Sequence, residues 1–198
     1  MRFVLLLAAL ALGIAAPGIA GADPPAPLRH HLTLGLGFAR HVSDDFEDAG
    51  LETGLQGQIA YRYSLGRRYD LCLEGRSFWT SDEEVFTEPG GTNSVRNEHE
   101  TLYFGPGLRW SGGDGPVRPY LQGSVYYMRE TMRFELDGQG GDASQDGAGF
   151  GLVAGADIHL SQMFSLPVEA NFLYGKPERD VSSLGMQAGI TYNFVPLP

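Results

Sequence analysis

Six charged residues of this sequence lie at positions that the pattern of the neighbouring residues predicts to be buried, where a charge needs a partner of opposite sign. Each lies in a segment in which nearly every second residue is apolar, and each is on the polar side of that alternation. Residues two apart in a strand share a face, so all six are predicted to lie on one face of a sheet. They are Arg62, Glu74, Arg76, Arg109, Asp157 and Glu169. Buried charges need partners, so Glu74 and Glu169 are expected to pair with some of the three arginines.

The stretch "DIHLS" offers a second kind of chemistry. His159 and Ser161 are two residues apart, and Glu169 follows in the next alternating segment. A serine becomes a nucleophile when a base reaches its hydroxyl and an acid orients the base. The three residues are therefore a candidate hydrolytic group, with an ordinary polar histidine at the end of a strand as the simpler interpretation.

The sequence offers few residues whose type and spacing would bind a metal ion or a cofactor. The stretches "SDDFEDAGLE" and "SDEEVFTE" concentrate carboxylates that could hold Ca²⁺, but "DGQGGDASQD" lacks the order of an EF-hand loop. We interpret all three as solvated loops and expect no cofactor and no bound metal. Cys72, the one cysteine, cannot form an internal disulfide and is interpreted as a small buried filler.

The start of the chain is typical of a secretory signal peptide. Arg2 precedes an apolar run that ends in the small residues Ala20-Gly21-Ala22, which predicts a signal peptide over residues 1–22 and a mature domain over 23–198. A retained N-terminal anchor is the alternative. Without Arg2 the balance is 13 basic against 24 acidic residues, a net charge of -11, which argues against nucleic-acid binding.

The rest of the chain alternates with a period of two rather than with a helical period. Eight segments show it, at about 31–40, 54–63, 69–79, 101–110, 118–128, 149–160, 166–174 and 182–194. The links between them alternate in length. Longer, acidic and Gly-rich links are expected at about 42–53, 81–98, 135–147 and 175–182, and shorter ones at about 65–68, 111–117 and 161–164. Alternating long and short links are typical of an up-and-down barrel.

The polar face decides which way such a barrel is turned. It consists mostly of Gly, Ala, Ser, Thr and Gln, which suit the crowded interior of a small barrel better than a strand surface in water. Segments of about 10 residues match a lipid-facing band, and aromatic residues near their ends match interfacial girdles. We therefore predict an all-β, eight-stranded antiparallel up-and-down transmembrane β-barrel. A soluble barrel or sandwich with its apolar face inside is the alternative.

With these features the sequence resembles the small eight-stranded outer-membrane barrels of Gram-negative bacteria, the OmpA-like and opacity-like group, over about residues 28–194. The most specific element is the last strand, where apolar residues step back by twos from the terminal aromatic. Those assigned to the assembly signal are Met186, Ile190, Tyr192 and Phe194. The resemblance implies recognition by the outer-membrane assembly machinery and a place in the cell outer membrane. The "VPLP" after Phe194 departs from the pattern, since family members often stop at the aromatic.

The resemblance implies a surface protein without enzymatic activity. Its expected partners are outer-membrane lipid and lipopolysaccharide, with host surface molecules as further candidates. The expected roles are envelope integrity, adhesion or host contact through the acidic loops, by a monomer with a salt-bridged, plugged lumen. One alternative is a lipid A-modifying hydrolase, which His159, Ser161 and Glu169 faintly suggest. Against it, Gln162 stands where lipid A deacylases have Asn, and that end of the strand would face the periplasm. The other alternative is a small-solute channel.

Overall fold

The computed structural model describes residues 30–42, 53–88, 91–136, 139–177 and 180–194. The predicted signal peptide at 1–22 and most of the predicted loop at 42–53 lie outside the described residues. No described segment forms a helix long and apolar enough to cross a membrane.

Eight antiparallel strands close into one barrel in chain order, and β1 completes the closure by pairing with β8. The strands are β1 His30–His41, β2 Thr53–Ser64, β3 Tyr69–Glu88, β4 Gly91–Ser111, β5 Val117–Leu136, β6 Gln139–His159, β7 Phe164–Lys176 and β8 Val181–Phe194. All eight predicted segments are strands, so the predicted fold is confirmed.

Alternation along each strand sorts side chains between the lumen and the outer surface, as pleated geometry requires. On β1, Leu34, Leu36 and Phe38 point outward and are 53%, 75% and 65% exposed, whereas Thr33 is 5% exposed. The outward face of the other strands is also rich in Leu, Ile, Val and aromatic residues. A chain that buries its small and charged residues and exposes its large apolar ones is inverted relative to a soluble protein, which is the arrangement that hydrocarbon favours.

The two ends of the barrel differ. Both His30 and Phe194, which pair across the β1–β8 seam, lie at the end that carries the short turns, and we call this the short-turn end. The turn between β4 and β5 there includes Gly113, whose φ of +75° suits a residue without Cβ. Aromatic rings group at this rim, where the His30 ring stacks on Phe194 at 5.6 Å and the Tyr192 ring stacks on Phe194 at the same spacing.

The opposite end differs from the sequence prediction. The segments predicted as loops at 81–98 and 135–147 are mostly strand, because β3 and β4 pair as far as Glu88 with Gly91, and β5 and β6 as far as Leu136 with Gln139. The pairing of β2 with β3 stops at Leu55 with Trp79, and that of β6 with β7 stops at Ala148 with Lys176. A four-stranded sheet therefore continues beyond the closed barrel. We call it the extension, formed by residues 80–88, 91–99, 132–136 and 139–147.

The outer face of the extension carries few apolar residues, which explains why its sequence resembles loop. Its outer face is organised instead as rows of alternating charge across neighbouring strands. Glu83 stands beside Arg96 and Arg96 beside Glu135. In the next charged row Glu98 stands beside Arg133, and Arg133 beside Asp142. Opposite charges directly across a ladder stabilise strand pairing, each by roughly 0.2–1 kcal/mol.

Candidate functional site

The lumen holds a buried group of three charges at mid-height. The Arg76 guanidinium lies between two carboxylates, with Nη2 3.0 Å from Oε2 of Glu74 and Nη1 2.8 Å from Oε1 of Glu169. Arg76 and Glu74 are each 1% exposed and Glu169 is 6% exposed. Strands β3 and β7 lie across the lumen from each other, so this one arginine ties opposite walls of the barrel together.

Five hydrogen-bond donors besides Nη2 of Arg76 surround the Glu74 carboxylate, and four of them are neutral. Its Oε1 accepts hydrogen bonds from Gln122 at 2.7 Å, Ser124 at 2.7 Å and the Tyr126 hydroxyl at 2.5 Å. Its Oε2 accepts from Gln58 at 2.9 Å and from Nε of Arg76 at 3.2 Å. A buried carboxylate with its lone pairs occupied in this way avoids most of the cost of leaving water.

The remaining three lumen charges form a second group toward the short-turn end. Oδ2 of Asp157 lies 3.4 Å from Nη1 of Arg62 and also accepts a hydrogen bond from Arg109. Tyr120 joins the two groups, because its ring lies 3.2 Å beneath the Arg109 guanidinium while its hydroxyl donates to Glu169 at 2.5 Å. All six charges predicted from the sequence thus face inward. Glu74 and Glu169 form ion pairs with Arg76, and Arg62 and Arg109 form ion pairs with Asp157.

A third polar group, which the sequence analysis missed, lies in the lumen toward the extension. Nε2 of His99 is 2.8 Å from Oε1 of Glu130, and Nδ1 of His99 is 3.1 Å from Nε2 of His41. All three side chains are buried. The signal was available, because His99 and Glu130 continue the inward alternation of β4 and β5, but both lie just past the ends assigned to those strands.

Apolar side chains fill the lumen between this third group and the Arg76 group. Tyr103, Tyr126, Met128, Leu173 and Val181 form one buried cluster, with exposures of 4% or less. Glycines on the lumen face make room for it, since a Cβ on Gly151 would meet the Tyr126 ring and Leu173. These rings and aliphatic groups pack against one another inside the lumen.

The candidate hydrolytic residues are not assembled. Ser161 Oγ lies in the β6–β7 turn, where it accepts hydrogen bonds from the backbone N–H groups of Met163 at 3.2 Å and Phe164 at 3.1 Å. His159 pairs with Ser165, so Glu169 lies four residues further along β7, roughly 14 Å away at ~3.4 Å per residue. Glu169 is instead engaged by Arg76, Tyr120 and Gln187.

No described group of three or more His, Cys, Asp or Glu side chains has the geometry to hold a metal ion. Cys72 is buried in the lumen wall, with Sγ 3.5 Å from Oε1 of Gln122. The residues assigned to the assembly signal all lie on β8, where Ile190 pairs with Leu34 and Tyr192 with Leu32 at the seam.

A closed eight-stranded barrel with an apolar exterior, aromatic rims and a charged, packed interior defines the class of outer-membrane β-barrel proteins. The sequence profile of one family matches nearly the whole chain. Residues 5–194 match the outer membrane protein beta-barrel domain, and the chain belongs to this family. Both the predicted family resemblance and the predicted location in the outer membrane are confirmed.

Solved structures with the same fold cover nearly all of the barrel. A major outer membrane protein from Thermus thermophilus shares 16% identity with a TM-score of 0.59, over 84% of this chain and 98% of that one. Neisserial surface protein A shares 14% identity with a TM-score of 0.57, over 83% of this chain and 97% of that one. The attachment invasion locus protein Ail of Yersinia pestis shares 18% identity with a TM-score of 0.55, over 84% of this chain and 99% of that one. No curated protein matches the chain significantly in sequence. At these identities the likeness concerns the fold.

Proposed function

We propose that this protein is a non-enzymatic surface contact protein, in which a plugged barrel holds a β-sheet outside the cell for adhesion. The observation that carries the proposal is the extension, which continues four strands past the last pairings that close the barrel. In outer-membrane barrels the short turns face the periplasm, so the extension faces outward. A paired sheet loses less conformational entropy on binding than a flexible loop of the same length does.

The barrel supports the sheet by being rigid. Buried hydrogen bonds and ion pairs fix the geometry around them, and Arg76 links opposite walls of this lumen. The two hairpins of the extension are continuous with strands that carry those charges, since Glu74 and Arg76 precede the outer part of β3. Lipid and lipopolysaccharide surround the outward apolar face, and the extension stands beyond them.

Shortening the extension is expected to reduce adhesion while leaving the barrel folded. The variant replaces residues 82–97 and residues 133–142 by Asn-Gly, which forms tight hairpin turns, and retains His99, Glu130 and every lumen charge. Cells displaying equal amounts of each form are tested for retention on glass that is bare, coated with a basic protein or coated with a sulfated polysaccharide. A matched control carries Asp114→Ala at the short-turn end. Equal retention of all forms on all three surfaces would contradict the proposed function.

The plugged lumen has its own test. Because Arg76, Tyr103, Tyr126 and Met128 are buried inside the lumen, we expect the purified protein in planar bilayers to show no steady open conductance. The exposed-charge variant Arg133→Ala is the control and should be equally silent. A steady ohmic level in the unmodified protein would show that the lumen conducts and would favour the small-solute channel instead.

A further inference from the structure

A contact between two histidines joins the base of the extension to a strand outside it. His99 lies at the base of the extension on β4, and His41 is the last residue of β1. Nε2 of His41 is 3.1 Å from Nδ1 of His99, and both rings are buried, at 3% and 1% exposed. Because β2 and β3 stand between β1 and β4 in the barrel, the contact crosses the lumen and holds the extension against the wall formed by β1.

Each ring has further neighbours that fix its position. The His41 ring packs against the Phe78 ring on β3, with centroids 4.6 Å apart. Nε2 of His99 lies 2.8 Å from Oε1 of Glu130 on β5 and 3.5 Å from Oγ1 of Thr101. Three strands, β1, β4 and β5, thus supply one hydrogen-bonded group, formed by His41, His99 and Glu130, which we call the His–His–Glu group.

Few other described side chains near this group can carry a charge. By the alternation of their strands, Asp82 on β3 and Tyr103 on β4 face the same part of the lumen. A tyrosine is ordinarily neutral at the pH values where histidine titrates. The nearest described inward residues of the remaining strands are uncharged, namely Gln56, Gln145, Gly175 and Ser183. Among the described residues, protonation of the group therefore depends mainly on its own members.

The facing nitrogens limit how many protons the group can hold. With Nε2 of His99 donating to the Glu130 carboxylate, Nδ1 of His99 accepts the hydrogen carried by Nε2 of His41. One added proton can go to Nδ1 of His41 without disturbing this arrangement, and the carboxylate balances its charge. A second added proton must go to Nδ1 of His99. Both facing nitrogens then carry hydrogen, so the hydrogen bond is lost and two cationic rings repel each other.

We propose that the His–His–Glu group is a pH-sensitive contact that holds the base of the extension at neutral pH and releases it in acid. The sign follows from the two protonation steps. The first proton is stabilised by Glu130 and keeps the contact, whereas the second is compatible only with separated rings, so the contact is lost as the pH falls. Histidine changes charge between about pH 8 and pH 5, which places the release in that interval.

This regulation rests on the proposed surface-contact function, because the contact acts on the sheet that makes contact with other surfaces. Once β4 is released from β1, the base of the extension can open locally at a lower free energy. A sheet with a mobile base loses more conformational entropy on binding than one that is held in place. Adhesion is therefore expected to weaken in acid while the barrel stays folded around the Arg76 group.

Amide hydrogen exchange of the full-length protein in nanodiscs tests the release. Protection factors of residues 96–100, corrected for the intrinsic effect of pH, are expected to fall about tenfold or more between about pH 7.5 and pH 5.5. The variant His41→Gln keeps an amide that can donate to His99 but cannot titrate, so its protection should stay within about twofold. The matched control His159→Gln removes a histidine near the short-turn end and should respond to pH as the unmodified protein does.

NMR of isotope-labelled histidine nitrogens tests the contact in the unmodified protein, so the result does not depend on the folding of a variant. The coupling across the hydrogen bond between His41 and His99 is expected at about pH 7.5 and should be absent at about pH 5.5. Cell retention, measured on the surfaces described above, should fall over the same interval for the unmodified protein and for His159→Gln but not for His41→Gln.

Three results would overturn the inference. These are unchanged protection of the unmodified protein in acid, an equal loss of protection in His41→Gln, and a coupling between the two rings that persists at about pH 5.5. The proposed function fails separately. If shortening the extension abolishes adhesion but exchange and coupling ignore pH, only the pH-sensitive contact is wrong. If exchange and coupling respond but the shortened form adheres as well as the full one, the surface-contact function is wrong.

Discussion

Replacing Arg76 by Met is expected to lower the free energy of unfolding by about 3–5 kcal/mol, because removing one member of a buried ionic group leaves the others uncompensated. Two carboxylates, Glu74 and Glu169, lose the same guanidinium, and both are buried. The change keeps most of the side-chain volume, so the loss measures charge rather than a cavity. Urea titration of the protein refolded in lipid vesicles gives the free energy.

Two further variants test this explanation. Arg133→Met removes an exposed arginine, 3.5 Å from Glu98, and is expected to cost no more than about 1 kcal/mol. Adding Glu74→Gln and Glu169→Gln to Arg76→Met neutralises the stranded carboxylates and should recover part of the loss. If Arg76→Met and Arg133→Met cost the same, the buried charges do not stabilise the barrel as described.

The substitution Leu73→Arg is expected to lower the free energy of unfolding by about 2–4 kcal/mol, which is the penalty for a cation on the lipid face near the bilayer midplane. Leu73 points outward, is 46% exposed and lies halfway along β3 between the rim aromatics Tyr69 and Trp79. The same substitution at Val85 provides the match, because Val85 points to the same side of the same strand and is 61% exposed but lies in the extension. Val85→Arg should change stability by less than about 0.5 kcal/mol.

The comparison of these two positions depends on the lipid. In vesicles Leu73→Arg should lower the free energy of unfolding by about 2–4 kcal/mol, and Val85→Arg should leave it nearly unchanged. A penalty at Val85 equal to that at Leu73 would mean that the bilayer reaches into the extension. No penalty at either position would mean that the outward face does not contact hydrocarbon at all.

The alternation of the sequence was sufficient to predict which way side chains point. The period of two is a property of a single strand, so Leu34 and Thr33 could be assigned to opposite faces without knowing their neighbours. The inward direction of Arg62, Glu74, Arg76 and Asp157 follows from the same rule. This is why the lumen side of each charge could be predicted, whereas the closed barrel was predicted from the eight segments and their alternating long and short links.

Pairing between charges could not be predicted in the same way. Whether Asp157 meets Arg62 or Arg76 depends on the height of each residue in the barrel, and height is set by strand tilt and stagger, which no single segment reveals. The extension was missed for a related reason. Glu83, Arg96 and Glu135 look like loop residues within their own segments, and only their alignment in one cross-strand row shows how a sheet accommodates them.

Closure of the barrel requires the first and last strands to meet, and these are 160 residues apart where Leu32 pairs with Tyr192. Every other pairing joins consecutive strands, so hairpins can form in any order at a small entropic cost, whereas the seam closes a loop that contains all the other strands. Until that step, a curved sheet exposes the backbone groups of β1 and β8 in a medium that tolerates no unpaired amide. The step of biogenesis at which this protein is most exposed to misfolding is therefore the pairing of β1 with β8. A factor that covers the unpaired edges of both strands until they meet would matter more than one that helps the hairpins to form.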